Sequence, residues 1–253
     1  MGVQQRISIK SERKIDQIRR SCGILANLMN EAVSKVVPGA IPRDVDRFCH
    51  DWITKAGGRP SFLNWHGYPY ATCISVNHCI IHGMPDDRLL SRGDIVGLDI
   101  GIEYDGAYSD HAVTVPVGEV SVAAQQVLDV TEQSLQEVIK QLVPGMRVSD
   151  VGRIVEDVVR PYSYGIIRDY CGHGVGDSVW EPPQIPNYRT RSPGPRFREN
   201  MVIAVEPMLS IGSPDVIVGA NGWNVETKDK TLGSHVEHTM LITKHGMEVL
   251  TRS

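Results

Sequence analysis

Apolar residues recur at helical spacing from residue 12 to 36, at Ile15, Ile18, Cys22, Leu25, Leu28, Met29, Ala32 and Val36, and the pattern stops at Pro38-Gly39. That period predicts a long amphipathic helix ended by the proline and glycine. A second helix is predicted from about Arg43 to Ala56. After Gly118 two more follow, one from about Val122 to Leu142 and one from about Ser149 to Arg160. Short runs rich in branched apolar residues predict strands at Thr72 to Asn77, Ile95 to Asp99, Asp110 to Val115, Met201 to Glu206 and His235 to Ile242. The Asp105-Gly106 pair is a tight-turn signal that makes a β-hairpin of the second and third of these strands. Trp65 to Pro69 reads as a loop and His82 to Asp87 as a turn. The segment from Pro182 to Asn200, with five prolines and four arginines, breaks both periodicities and reads as a solvated surface loop.

The order of elements repeats. Val37-Pro38-Gly39, followed by Asp44-Val45 and Arg47, returns as Val143-Pro144-Gly145, followed by Asp150-Val151 and Arg153, at an offset of 106 residues. His66-Gly67 returns as His173-Gly174, and Asp99 as Glu206, at an offset of 107 residues. The pattern predicts one catalytic domain over residues 1–253, made of two similar halves at about 12–118 and 119–251 that face each other across a central cleft.

The strands carry acids where their neighbours are apolar. Asp99 closes Ile95-Val96-Gly97-Leu98, and Asp110 opens the return strand, so the hairpin brings two carboxylates together. Glu206 and Glu237 occupy the matching places in the second half. The plain alternative is that all four sit solvated at strand ends. If they are buried together, a proton or a cation must neutralise them, because a desolvated carboxylate beside another is strongly disfavoured. Four carboxylates with a histidine suit hard or borderline divalent ions such as Mn, Fe or Co, and they outnumber what one ion needs when water also binds. Two ions roughly 3.5–4 Å apart would use them fully.

Composition narrows the setting. The net charge of -4 over 253 residues gives no electrostatic case for DNA or membrane binding. Five cysteines without a C-x-x-C pair suggest reduced thiols and a cytoplasmic protein. The first residues lack the apolar core of a signal peptide, and Arg6 stands where a myristoylation motif after Gly2 requires Ser or Thr. Gly172, Gly174 and Gly176 form a glycine run that is not G-x-G-x-x-G, and no G-x-S-x-G elbow is present.

Asp99, Asp110, His173, Glu206 and Glu237, in that order and spacing, resemble the five metal ligands of the methionine aminopeptidases. The strings Cys73-Ile74-Ser75-Val76-Asn77, His82-Gly83, Cys171-Gly172-His173-Gly174, Val205-Glu206-Pro207-Met208 and Glu237-His238-Thr239 are similar to the family's signature stretches. The likeness runs from about Lys14 to Thr251 and is to the bacterial type 1 enzymes of peptidase family M24. It implies the α+β pita-bread fold, in which two pseudo-symmetric halves surround a curved antiparallel sheet flanked by helices. It further implies removal of the initiator methionine from nascent polypeptides and peptides at a dinuclear centre of Co, Mn or Fe. In that scheme Asp110 and Glu237 bridge the ions, Asp99 chelates one, and His173 and Glu206 bind the other. Glu206 also carries the proton from the attacking water to the leaving amine, and His82 positions the substrate. The partners implied are nascent N-termini and a transient contact with the ribosome, for a monomer that touches neither DNA nor membrane.

By the same resemblance Tyr68, Cys73 and Trp223 line the pocket for the methionine side chain, with Phe62, Trp65 and Val179 nearby and His66 at its edge. His111 and His238 adjoin ligands, so strand alternation turns them away from the metals. Three positions depart from the family. Phe62 replaces a small cysteine and Val179 replaces a phenylalanine, an exchange that can conserve volume. Trp180 replaces the second active-site histidine. An indole donates one N–H but neither accepts nor changes charge, so a slow enzyme, or one with altered substrate preference, is expected. Two rival readings are a weakly active or non-catalytic binding module of this fold, and a related dipeptidase or Pro-specific aminopeptidase.

Overall fold

The computed structural model describes residues 7–252, so the readings placed on Gly2 and Arg6 lie outside the described residues. The four predicted helices are α1 (Glu12–Val33), α2 (Pro42–Lys55), α3 (Val122–Gln141) and α4 (Val148–Val159). Their starts follow from local chemistry. The Ser11 hydroxyl accepts the Lys14 N–H at 3.3 Å, and the Ser121 hydroxyl accepts that of Ala124 at 3.1 Å, so each satisfies one of the free donors of a first turn. The α2 helix begins at Pro42, whose missing N–H costs nothing at that position.

The helices cover a nine-stranded antiparallel sheet. Its path runs Arg59–Pro60, Ile95–Tyr104, Ala107–Pro116, Glu237–Thr243, Val202–Val205, Gly172–Gly174 and Glu181–Ile185, with Cys73–Val76 joined to the second strand and Gly246–Val249 to the fourth. Alternation along Ile95–Tyr104 sorts the two faces. Val96, Leu98, Ile100 and Ile102 pack against Leu25, Leu28, Val45 and Cys49 of α1 and α2, so Asp99 points the other way. In the second half, Ile203, Val205, Met240 and Ile242 pack against Val127, Leu135, Val151 and Val155 of α3 and α4. The acid-bearing face is thus the one the helices leave free. At the hairpin turn Asp105 and Gly106 have φ of 52° and 71°, the pair of positive values that a two-residue turn with the strands' own twist requires.

Three features differ from the sequence expectations. The acids of the hairpin are not directly opposite, because Asp99 pairs with Ala112 while Asp110 pairs with Gly101. They are diagonal neighbours on one face, still within side-chain reach. The stretch from His235 to Ile242 is not one strand. Gly233–His235 pairs with Met208–Ser210 in a separate three-stranded sheet, the chain breaks at Val236, and Glu237–Thr243 joins the large sheet. Finally, the proline-rich segment contributes a strand, Glu181–Ile185, which pairs with Gly172–Gly174 at the edge of the sheet, where prolines without N–H groups are tolerated. No helix among the described residues is long and apolar enough to cross a membrane.

Candidate metal centre

Two cross-strand rows on the free face supply the centre. One runs Cys73, Asp99, Ala112 and Glu237 across four strands, and each is the register partner of the next. The other begins with Gly101 opposite Asp110 and continues, after a gap in the ladder, through Thr239, Ala204 and His173. The gap is filled by a side chain. The Thr239 hydroxyl donates to the Asp110 carbonyl at 2.7 Å and accepts the Asp110 N–H at 3.0 Å, so it stands in for the missing backbone partners and fixes Asp110. Glu206 follows directly on Val202–Val205, with its own carbonyl held by the Asn187 amide at 2.8 Å.

The five expected ligands converge. His173 Nε2 lies 3.5 Å from Glu206 Oε1, 3.9 Å from Asp110 Oδ2 and 4.0 Å from Glu237 Oε1. Its Nδ1 is 3.0 Å from the Gly174 carbonyl. A carbonyl only accepts, so the ring proton is on Nδ1 and the Nε2 lone pair faces the carboxylates, the tautomer a metal ligand needs. Asp99 stands one register row from Asp110, at the floor of the same pocket.

The electrostatics call for cations. Burial pushes the Asp99 carboxyl up to about 7. Burial together with the charges of Glu237 and Asp99 holds Asp110 well above the carboxylate range. Glu206 is raised by burial and by Asp110 and Asp99, and Glu237 by burial and by Glu206 and Asp99. Burial also lowers His173 to about 4, leaving it neutral. Among the described residues no lysine or arginine pairs with any of these four acids. Asp99 Oδ1, Asp110 Oδ1 and Glu237 Oε1 are buried without a hydrogen-bond partner. Clustered acids with unused lone pairs and neutral imidazoles fit divalent metal ions.

The centre opens into a pocket with about 50 Å³ of free space that is partly open to solvent. Its walls include Phe62, Trp65, Tyr68, Cys73, His82, Trp180 and Trp223 from the expected set. The Tyr68 hydroxyl points away from the pocket, donating to the carbonyls of Thr72 at 2.9 Å and Gly83 at 3.1 Å, which leaves the ring as apolar wall. Behind it, Asp46 Oδ1 accepts from Ala71 N–H at 3.0 Å and from the Thr72 N–H and hydroxyl, each at 2.8 Å, and so fixes the loop leading to Cys73. Trp180 stacks on Phe62 with centroids 5.9 Å apart, lies 4.1 Å from Trp65 and meets His173 edge-on at 6.0 Å. The loop that carries it is pinned from behind by buried Lys10, which pairs with Asp177 at 2.7 Å and Glu181 at 2.6 Å.

Phe62 and Val179 fall in one apolar cluster with Tyr68 and Cys73, as a compensating size exchange requires. Val179 is behind the wall and not part of it. His66 is exposed, its ring against the edge of Trp65 at 4.1 Å, and it does not reach the pocket. Its half of the repeat leaves the sheet in a tight turn with φ of 66° at Asn64 and 46° at His66, whereas His173 sits within a strand. His111 and His238 stack on each other at 4.6 Å on the far face, with His111 donating to the Glu237 carbonyl at 2.6 Å.

Two pocket residues were not anticipated, Ile81 and His235. His235 is 3 % exposed, and its Nε2 lies 3.7 Å from Glu206 Oε2 and 3.8 Å from Glu237 Oε2. Alternation from Glu237 does not reach it, because the strand ends at Val236 and His235 belongs to the small sheet.

Residues 16–244 match the profile of Metallopeptidase family M24. The chain is 43% identical over 246 residues to a methionine aminopeptidase of Treponema pallidum, covering 97% of this chain and 96% of that protein. It is 37% identical to methionine aminopeptidase 1 of Bacillus subtilis, covering 97% and 99% respectively. The crystal structure of methionine aminopeptidase from Thermotoga maritima superposes with a TM-score of 0.95 at 38% identity, over 98% of this chain and all of that one. A prolidase from Pyrococcus furiosus superposes with a TM-score of 0.78 at 25% identity, over 97% of this chain but 65% of the prolidase. The fold is the pita-bread fold of these enzymes. With a buried acid and histidine centre, full-length coverage by such relatives and a matching family profile, the chain belongs to the methionine aminopeptidases of metallopeptidase family M24.

Proposed function

We propose that this protein removes the initiator methionine from nascent polypeptides and short peptides, using two divalent cations held by Asp99, Asp110, His173, Glu206 and Glu237. The observation that carries the reading is the convergence of four buried carboxylates and a neutral imidazole with no cationic side chain among the described residues paired to the acids. When bound, the cations would polarise the first peptide carbonyl and make a water acidic enough to attack it near neutral pH. Asp110 and Glu237 would be shared by the two ions, with Asp99 holding one and His173 with Glu206 the other. Cobalt, manganese and iron each suit this mixed oxygen and imidazole set.

Glu206 accepts the proton of the attacking water and passes it to the leaving amine. Its burial beside Asp110 and Asp99 raises its proton affinity, which suits that role. His82, kept neutral by burial that lowers it to about 4, is in reach of the scissile amide as a hydrogen-bond partner. Tyr68, Cys73, Phe62, Trp65 and Trp223 enclose the methionine side chain, and Trp180 closes the pocket beside His173. Because the indole cannot replace an imidazole at a developing oxyanion, turnover is slow or the substrate preference is altered. The chain acts as one catalytic domain with halves at 12–118 and 119–251, a cytoplasmic monomer in transient contact with the ribosome. Its net charge of -4 argues against DNA as a partner.

The test uses protein stripped of metal and reloaded separately with Co(II), Mn(II) or Fe(II). Release of methionine from Met-Ala-Ser with at least one ion, and little cleavage of Gly-Pro or Ala-Pro, is expected. No methionine release with any ion would refute the assignment, and preferred cleavage of the proline peptides would favour a Pro-specific enzyme.

A further inference from the structure

We propose that His235 is a metal ligand in this protein, so that the centre carries two imidazoles. The inference rests on the reading of the pocket as a metal centre and adds a sixth ligand to the five that reading contains.

The argument begins with what His235 lacks. The side chain is nearly inaccessible at 3 % exposure, and its Nε2 has no hydrogen-bond partner. The nearest acceptors, Glu206 Oε2 at 3.7 Å and Glu237 Oε2 at 3.8 Å, are beyond hydrogen-bond length. A buried ring nitrogen is rarely left this way without a partner that completes it. The spacing identifies the partner. Two donors each about 2.0–2.2 Å from one ion stand about 3 Å apart at a right angle and about 4.2 Å apart across it. The His235 distances fall inside that interval, as do the 3.5, 3.9 and 4.0 Å separations around His173.

The carboxylates divide between the two rings. Glu206 turns Oε1 to His173 and Oε2 to His235, and Glu237 does the same. Two groups of donors result, His173 with Asp110 and Glu237, and His235 with Glu206 and Glu237. The placement comes from the chain break at Val236. His235 ends a strand of the small sheet, paired with Met208, and so enters the pocket beside Glu237 from a different sheet. A second imidazole makes the site a better match for borderline ions such as Co(II), Fe(II) or Zn(II) than an all-oxygen position, which suits Mn(II).

The experiment is X-ray absorption at the cobalt edge on metal-free protein reloaded with one and then two equivalents of Co(II), paired with calorimetric titration. The parent is expected to show imidazole scattering of two rings per two cobalts. His235→Ala and His235→Gln should both lose half of that scattering and bind one equivalent at least tenfold more weakly. His173→Ala should lose the other half. One ring per two cobalts in the parent would overturn the proposal while leaving the metal centre intact, and so would recovery of parental affinity in His235→Gln, which would mark His235 as a positioning residue. Failure of the parent to bind cobalt in the pocket at all would sink the metal-centre reading and this inference with it. The ring count is made on the parent, so the result does not depend on either variant folding.

Discussion

Replacing Trp180 with histidine sets two effects against each other on different observables. The indole is half-buried and touches Phe62, Trp65 and His173 at centroid distances of 5.9, 4.1 and 6.0 Å. Aromatic pairs of this kind contribute about 0.5–1.5 kcal/mol each when buried. Trp65 is 40% exposed, and an imidazole keeps part of the contact, so the loss in Trp180→His is about 1–2 kcal/mol in total. In a domain of this size that lowers the melting temperature by about 2–4 °C per kcal/mol. The thinner wall should raise KM for Met-Ala-Ser by up to about tenfold, the equivalent of about 1.4 kcal/mol. Against this, a restored hydrogen-bond donor beside the reacting carbonyl is worth about 10²–10³ in kcat. The assay is steady-state release of methionine from Met-Ala-Ser by Co(II)-loaded parent, Trp180→His and Trp180→Ala. The expected outcome is higher kcat with higher KM for histidine and higher KM alone for alanine. An unchanged kcat in a Trp180→His protein that melts cooperatively and binds parental amounts of cobalt would refute the view that the indole limits turnover.

Gly101→Ala should damage the pocket without touching a ligand. The added Cβ would stand 2.1 Å from Ser61 Oγ and 2.7 Å from the Phe62 ring, an overpacking worth about 1–3 kcal/mol, and thermal melts with kcat/KM should both fall. Thr239→Val leaves the buried N–H and carbonyl of Asp110 without the hydroxyl that serves both, at a cost of about 1–3 kcal/mol per unmade bond; the urea midpoint should drop with an unchanged m-value. Metal affinity should rise with pH. Asp99 titrates at about 7 and the other three acids lie well above their usual range, so the metal-free site holds protons that a cation must displace, whereas His173 at about 4 holds none. Calorimetry in two buffers of different ionisation enthalpy at pH 7 should count a net proton release that shrinks as pH increases, and zero release would contradict the buried-acid account.

Much of this was legible in the chain because it depends on local rules. Helix starts at Ser11 and Ser121, the Asp105-Gly106 turn and the isolation of Asp99 among apolar neighbours are all matters of short-range period and turn chemistry. Strand alternation alone placed His111 and His238 away from the acids, where they stack on the far face. The repeat of loop histidine and acid linked His173 and Glu206 to the hairpin more than fifty residues before them. At His66 the same letters take a different backbone turn, and positive φ at Asn64 and His66 places that ring at the surface against Trp65.

What the tertiary structure alone decided concerns partners that are far apart in sequence. Which residue stands opposite which is set by where separate strands dock, so no local pattern could say that Glu237 faces Ala112, or that Thr239 fills the gap beside Asp110. The same holds for the break at Val236, which no glycine or proline marks in the sequence and which sends His235 in from a second sheet. Sequence determined the kinds of groups available and the faces on which they lie. Long-range pairing determined their distances, and it is at distances of a few ångströms that buried acids become a metal site.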